Sequence, residues 1–316
     1  MAHGLFINQR KASCSIYESG LMIKDALKGN IEGCTLDYKE TDIHLSDIGN
    51  FKYDFYIINW HPASLPVTSG ALNRLGKGKK ICIVLEVSEN EYIPITPNIF
   101  DAYMILDPTK KKKENFYIFP RPIIDSPTKP LLYPDRFVVG SFGLIHPRYS
   151  RHEKVFEEII VNTGIVSDGS GLVRFNFPQA TFIPIVSKAD TDSYFGELKR
   201  VADAFKVELR ITRDYMSRDD LVGWLSEHNM NSFPYYRTIP GLSAVTDQAI
   251  SAERAIAVTD CATFRHVHKY ISHYPEQNYL ELSESTLKGV RKMKKEWSVE
   301  NFRKSFNLML LELGIV

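Results

Sequence analysis

The sequence lacks several features that would settle its class at once. No window approaches the roughly 18 consecutive apolar residues of a membrane span. Met1 to Asn8 holds no basic region followed by a long apolar one, so no secretory leader is read there. Both absences give the expectation of a cytoplasmic protein with no integral membrane span. Cysteine is scarce: Cys14, Cys34, Cys82 and Cys261 lie far apart, and none belongs to a C-x-x-C pair. A zinc ribbon and a disulfide framework are therefore not expected, and buried reduced thiols are. A surplus of positive charge is missing too, with 39 Lys and Arg against 38 Asp and Glu. That excludes a protein whose main task is to neutralise many nucleic-acid phosphates, though not a local basic patch. What remains is ordinary for a globular protein, with 44% apolar and 24% charged residues. At 316 residues, two domains are the natural expectation.

Short apolar runs alternate with helical stretches. Gly4–Asn8, Tyr53–Asn59, Lys80–Leu85, Ala102–Leu106 and Phe116–Phe119 read as strands, and Glu18–Leu27 as a helix. Continuous apolar runs fit strands buried on both faces of a parallel sheet. Pro120, Pro122, Pro127, Pro130 and Pro134 then interrupt any helix or central strand and read as a linker. A second series follows. Its strands are Phe137–Phe142, Leu172–Phe177, Val207–Thr212, Ser232–Tyr235 and Ala255–Thr259. Helices are expected at His152–Val161, Asp192–Phe205, Leu221–Leu225, Val245–Glu253, Phe264–Tyr270 and Val299–Leu313, with Ser217 and Ser298 as N-caps. The pattern implies an α/β chain with two Rossmann-like, doubly wound parallel sheets.

Ligands of such sheets bind at the carboxyl ends of the strands. Two loops there carry suitable residues. The first is Gly140-Ser141-Phe142-Gly143, followed by His146, Arg148 and Arg151; glycine admits an anion, and arginine can grip phosphate with two hydrogen bonds. The second is Gly241-Leu242-Ser243-Ala244-Val245, which leads into a helix bearing Asp247. Asp247 suits ribose hydroxyls there, or simply the helix dipole. His61 and Glu86 each follow a strand of the first half and are the catalytic candidates: His61 can contact the acceptor or the donor sugar, or be a loop histidine without a role, and Glu86 is an acceptor-side or base candidate. His266, His268 and His273 resemble metal ligands by type. Residues two apart on a helix point to different faces, however, so no metal is expected. The lysine run Lys110–Lys113 and the cluster Lys288, Arg291, Lys292, Lys294 and Lys295 read as solvated surface, or as sites of peripheral contact with an anionic membrane or acceptor.

The stretch Gly241-Leu-Ser-Ala-Val-Thr-Asp247-Gln-Ala-Ile, with Arg254-Ala-Ile-Ala-Val-Thr-Asp260 and Phe264-Arg-His-Val267, resembles the donor segment of GT-B nucleotide-sugar glycosyltransferases of the retaining, group-1-like type. The loop after Phe142 resembles that family's phosphate-holding turn. Phe175-Asn-Phe-Pro178 and Thr212–Leu221 fit as well, and Phe6–Gln9 with Cys14–Gly20 resembles the first strand and the acceptor-side loop. The resemblance implies two Rossmann-like domains facing a central cleft, over 1–134 and 135–298. It also implies a last helix, 299–316, that crosses back to the first domain. It implies donor contacts at Gly143, Arg148, Arg151, Asp214, Tyr215, Arg237, Gly241, Leu242, Ser243 and Asp247, and acceptor-side contacts at Ser15 and Tyr17.

Two features depart from the family pattern. The family pairs two glutamates; Asp247 stands at the second position and Ile239 at the first. The family's phosphate-binding lysine is also missing, leaving Arg148 or Arg151 in its place. The expected partners are a nucleotide-sugar donor and an acceptor that is a glycan, a lipid-linked sugar, a small molecule or modified DNA. The expected activity is sugar transfer, hexosyl or pentosyl, with retention by front-face attack and no cofactor. A DNA-modifying transferase of phage type and a non-catalytic nucleotide- or sugar-binding protein are the alternatives.

Overall fold

A computed structural model describes residues 1–10, 15–29, 31–42, 45, 48, 52–62, 64–87, 99–143, 150–161, 171–178, 188–236, 241–274 and 276–316. The chain forms two compact units. The first holds Met1–Ile124, Ile239–Leu242 and Trp297–Val316; the second holds Asp125–Thr238 and Ser243–Glu296.

The first unit is built on a six-stranded sheet in which every neighbouring pair is parallel. Its strands are β1 (Ala2–Gln9), β2 (Cys34–Thr41), β3 (Phe55–Trp60), β4 (Lys79–Val84), β5 (Ala102–Ile105) and β6 (Phe116–Ile118), in the order β2-β1-β3-β4-β5-β6. All six residues of β3 are buried, as the unbroken apolar run requires of a strand covered on both faces. Alternation divides the strands between two cores. Phe6 and Ile57 join Ile23, Ala26 and Leu27 of α1 (Ser15–Leu27), while Leu5, Ile7 and Ile58 join Ala71 and Leu72 of α2 (Ser69–Asn73). The final helix of the chain, α9 (Val299–Glu312), also belongs to this unit. Phe302, Phe306, Met309 and Leu310 enter the core beside α1, and Arg303 donates to the carbonyls of Ala26 and Lys28 at the end of α1.

The second unit carries a five-stranded parallel sheet in the order β11-β10-β7-β8-β9. The strands are β7 (Val138–Phe142), β8 (Leu172–Asn176), β9 (Glu208–Thr212), β10 (Met230–Phe233) and β11 (Ala255–Val258). Val139, Val173 and Phe175 pack with Val155 and Phe156 of α3 (Glu153–Val161) and Leu198 of α4 (Lys188–Ala204). Ser217 caps α5 (Arg218–Ser226) and Ser298 caps α9, each accepting from a backbone N–H three residues on. The expected helix over Phe264–Tyr270 is instead a 3-10 turn, Ala262–Phe264, followed by the single turn α7 (Arg265–His268). Three elements were not expected from the sequence: β2, α2 and α8 (Tyr279–Glu296).

Cys34, Cys82 and Cys261 are buried thiols; burial pushes Cys34 up to about 11 and Cys82 well above the ordinary range. Cys14 lies outside the described residues. Among the described residues, no helix is long and apolar enough to cross a membrane.

Candidate functional site

Strand order creates a switch point in each sheet, where the chain reverses its direction of travel across the sheet and opens a crevice at the carboxyl edge. In the second unit the switch lies between β7 and β10. β7 ends at Phe142 and leads into Gly143, whose φ of 115° is the conformation glycine tolerates. The Gly143 N–H donates to the carbonyl of Asn176 at 3.2 Å, which ties the end of β7 to the end of β8. The missing Cβ lets two neighbours close in: a Cβ there would lie 3.0 Å from Tyr235 Oη and 3.1 Å from Val245 Cγ1.

Asn176 ties the neighbouring strand end to the same edge. Its Nδ2 donates to the carbonyl of Asp214 at 3.1 Å, and the Thr212 hydroxyl donates to its Oδ1 at 3.2 Å. Asn176 is fully buried, and replacing it with Ala leaves these partners unsatisfied. Asn176→Ala is expected to cost about 1–3 kcal/mol, read as a lowered urea midpoint with an unchanged m-value.

On the other side of the switch, Tyr235 follows β10 and its hydroxyl donates to the carbonyl of Phe142 at 3.3 Å. Thr259, after β11, donates its hydroxyl to the Tyr235 carbonyl. Ser243 is buried, and its N–H donates to Thr263 O at 3.1 Å. Thr246 donates to Ser243 O at 3.0 Å and lies 2.9 Å from His266 Nε2. With the Thr246 proton so placed, His266 must donate from Nε2. Asp247 occupies the first turn of α6 (Val245–Ser251) and is 3% exposed.

The donor residues expected from the sequence are thus partly brought together. Gly143 and Asp214 are linked through Asn176, and Val245 at the start of α6 packs beside Gly143. Tyr215 is exposed, and Arg151 carries an exposed side chain 3.6 Å from Glu153. Arg148, Arg237, His146 and Ile239 lie outside the described residues. Gly241 and Leu242 group with the first unit, whereas Ser243 begins a segment of the second. Asn176, Tyr235 and Thr246 went unassigned in the sequence because only strand order shows that they share an edge.

In the first unit the switch lies between β1 and β3. Asn8 and Asn59, one on each strand, bridge it: Asn59 Nδ2 donates to Asn8 Oδ1 at 2.8 Å and to the carbonyl of Ile16 at 2.9 Å. Asn8 Nδ2 donates to the carbonyl of Tyr17 at 3.2 Å. The Tyr17 hydroxyl donates to Glu40 at 2.8 Å; burial, with Glu40 beside it, pushes this phenol up to about 12. Ser15, the first residue of α1, is exposed.

His61 and Glu86, distant in sequence, meet. His61 follows β3, Glu86 follows β4, and His61 Nε2 is 3.4 Å from Glu86 Oε2. Ser64 Oγ lies 3.1 Å from His61 Nδ1. Gly241 packs on the stem of Glu86: its N–H donates to Val87 O at 3.4 Å, and a Cβ there would lie 3.5 Å from Glu86 Cγ.

The remaining polar clusters have other partners. His266 turns to Thr246, while the rings of His268 and His273 lie 5.1 Å apart. Among the described residues, no group of three His, Cys, Asp or Glu side chains is arranged to hold a metal. Lys112 pairs with Glu312, and Lys294 bridges Glu253 at 2.6 Å and Asp125 at 2.9 Å.

Comparison with solved structures places this architecture. The α,α-trehalose 6-phosphate synthase of Burkholderia multivorans matches with a TM-score of 0.61 over 99% of this chain and 99% of that chain, at 10% identity. The E. coli trehalose-6-phosphate structure bound with UDP-2-fluoro glucose matches with a TM-score of 0.60 at 10% identity, over 96% of this chain and 98% of that one. The chain has the GT-B fold. The pneumococcal O-GlcNAc transferase GtfA, in complex with UDP and GlcNAc, is a more distant GT-B match, with a TM-score of 0.52 at 9% identity over 82% of this chain and 56% of that one. No family model matches the chain, and no curated protein matches it in sequence. The GT-B assignment therefore rests on three-dimensional likeness, which carries the fold alone.

Proposed function

We propose that this chain transfers a sugar from a nucleoside-diphosphate sugar to a hydroxyl of its acceptor. The observation that carries the reading is the carboxyl edge of the second sheet. Gly143 and the start of α6 flank its switch point, the Asp214 loop is tied to Gly143 through Asn176, and two of the compared GT-B structures hold UDP or a UDP-sugar. Gly143 lets Tyr235 and the start of α6 pack close to that edge. Arg148 or Arg151 is assigned to the diphosphate, where a guanidinium can stabilise the charge that develops on the leaving group without a metal. Ser243 and Asp247 are assigned to the turn that receives the nucleoside, with Asp247 accepting from ribose hydroxyls. The acceptor belongs on the first unit, at the edge that holds Tyr17, His61 and Glu86. The resemblance implies retention, in which the departing diphosphate takes the acceptor's proton.

The test is release of UDP from a panel of UDP-sugars without acceptor. Slow release is expected, because water substitutes for the acceptor hydroxyl. A chain that binds UDP but never cleaves a nucleotide-sugar is a binding protein, and the transfer reading fails.

A further inference from the structure

The Lys110–Lys113 run has no part in sugar transfer, yet it meets α9 on one surface of the first unit. Lys111, Lys112 and Lys113 are exposed and Lys110 is half-buried. Lys112 joins the two segments: its Nζ is 2.7 Å from Glu312 Oε1 and 4.9 Å from the ring centroid of Tyr117. Lys110, Lys112, Tyr117, Ser305, Leu308 and Glu312 line one groove of about 210 Å³. That is below the roughly 300–1,000 Å³ of a small-molecule site, so the groove belongs to a surface and not to a pocket. Glu114 and Glu312 offset two of the four lysine charges, and the patch stays positive.

The outer face of α9 adds an apolar half. Leu308 and Leu311 are 61% and 56% exposed, the two most exposed leucines among the described residues, and they stand one helical turn apart. Lys304, one turn before Leu308, is exposed on the same face and paired with Glu300. Paired apolar tips rimmed by ammonium groups suit a boundary where hydrocarbon meets phosphate. A protein partner fits less well. A stable interface takes about 800 Å² from each side, far more than two leucines offer. A second copy seated on this face would also set lysine against lysine. The basic cluster of α8 lacks the apolar half: Lys294 bridges Glu253 and Asp125, Lys292 is 3.8 Å from Glu296, and the exposed leucine of that helix, Leu280, precedes the whole cluster.

We propose that the Lys110–Lys113 run and the exposed face of α9 form a docking surface for an anionic phospholipid membrane. Leu308 and Leu311 enter the boundary between headgroups and acyl chains. Lys110, Lys111 and Lys113 meet lipid phosphates, while Glu312 and Tyr117 hold Lys112 between the run and the helix. The attachment is reversible, because two leucines bury little area and the attraction of the lysines fades within about 8 Å at physiological salt. The surface lies wholly in the first unit and needs no nucleotide, so it stands or falls apart from the transfer reading.

Flotation of the full chain with lipid vesicles tests the surface. The parent is expected to float with vesicles of phosphatidylcholine and phosphatidylglycerol in equal parts, and not with phosphatidylcholine alone. Salt at about 1 M, where the Debye length falls to about 3 Å, is expected to release most of it. Lys111→Ala/Lys113→Ala is expected to lower the partition coefficient about thirtyfold, at roughly fivefold for each lysine near an anionic surface. Leu308→Ser/Leu311→Ser is expected to lower it about tenfold or more. All four side chains are exposed, so both variants are expected to keep the parent's urea midpoint. Arg291→Ala/Lys295→Ala removes the same charge from α8 and is expected to float like the parent. Equal flotation with both vesicle types, an α8 variant that loses as much as the Lys111/Lys113 variant, or a leucine variant that binds like the parent overturns the docking surface. A parent that stays off anionic vesicles overturns it too; if that parent elutes as a dimer and the leucine variant as a monomer, the face belongs to a second copy.

Discussion

Between about pH 7.5 and pH 4.5 the protein is expected to lose about 5 kcal/mol of folding stability through two histidines alone. His152 and His228 are fully buried, and burial pushes each down to about 3. His152 sits among the rings of Phe175, Phe177, Tyr194 and Tyr235, at centroid distances of 5.2, 4.9, 6.5 and 6.3 Å, and neither ring nitrogen has a hydrogen-bond partner. Above about pH 6.5 both histidines are neutral in the folded and unfolded chain and contribute no pH dependence. Below it the unfolded chain takes up two protons that the folded chain refuses, so stability falls as pH falls and continues to fall until about pH 3. Urea unfolding across this range gives the slope. His152→Phe fits the aromatic surroundings and removes one of the two protons, so it is expected to halve this loss. An identical pH slope in parent and variant would mean that His152 titrates in the folded protein.

Gly140→Ala is expected to cost about 4 kcal/mol and to lower the melting temperature by roughly 10 °C. A Cβ at this position in β7 would lie 2.0 Å from Nδ1 of His228. The ring has no room to retreat. His228 Nδ1 is 3.0 Å from Asn231 Oδ1, Nε2 is 3.3 Å from Arg174 Nη1, and the ring stands edge-on to Trp224 at 4.4 Å. Arg174 is itself paired with Glu227 at 2.7 Å. A shift of the ring therefore breaks buried hydrogen bonds as well as packing. The Gly140→Ala/His228→Ala double variant is expected to lose less than the sum of the two singles, because the clash disappears with the ring. Strict additivity would place the cost elsewhere.

The sequence made visible what burial writes into composition. β3 was legible because a strand covered on both faces must be apolar throughout, and Ser217 and Ser298 were legible because a cap needs a hydroxyl. β2 was not. It is an edge strand of half-exposed residues, and Asp37, Lys39 and Glu40 break its pattern. α8 was hidden behind its own charges. Leu282, Thr286, Val290 and Met293 repeat at helical spacing, but Lys288, Arg291, Lys292, Lys294 and Lys295 led to a surface reading. At the site, Gly143 was legible as a residue, but the bond from its N–H to the Asn176 carbonyl follows only from β7 and β8 being neighbours. His61 and Glu86 were legible as separate candidates. Their meeting depends on β3 and β4 being neighbours, which sheet order supplies and periodicity does not.

Calorimetric titration of UDP and of inorganic pyrophosphate into the parent and Asp247→Ala decides whether the second unit holds a nucleotide. The parent is expected to bind UDP, and the variant to remain folded but lose UDP affinity by more than about tenfold, near 1.4 kcal/mol. Pyrophosphate, which has no ribose, should be affected little. A parent that binds neither ligand would contradict the nucleotide-sugar site, and equal losses for both ligands would take the ribose away from Asp247.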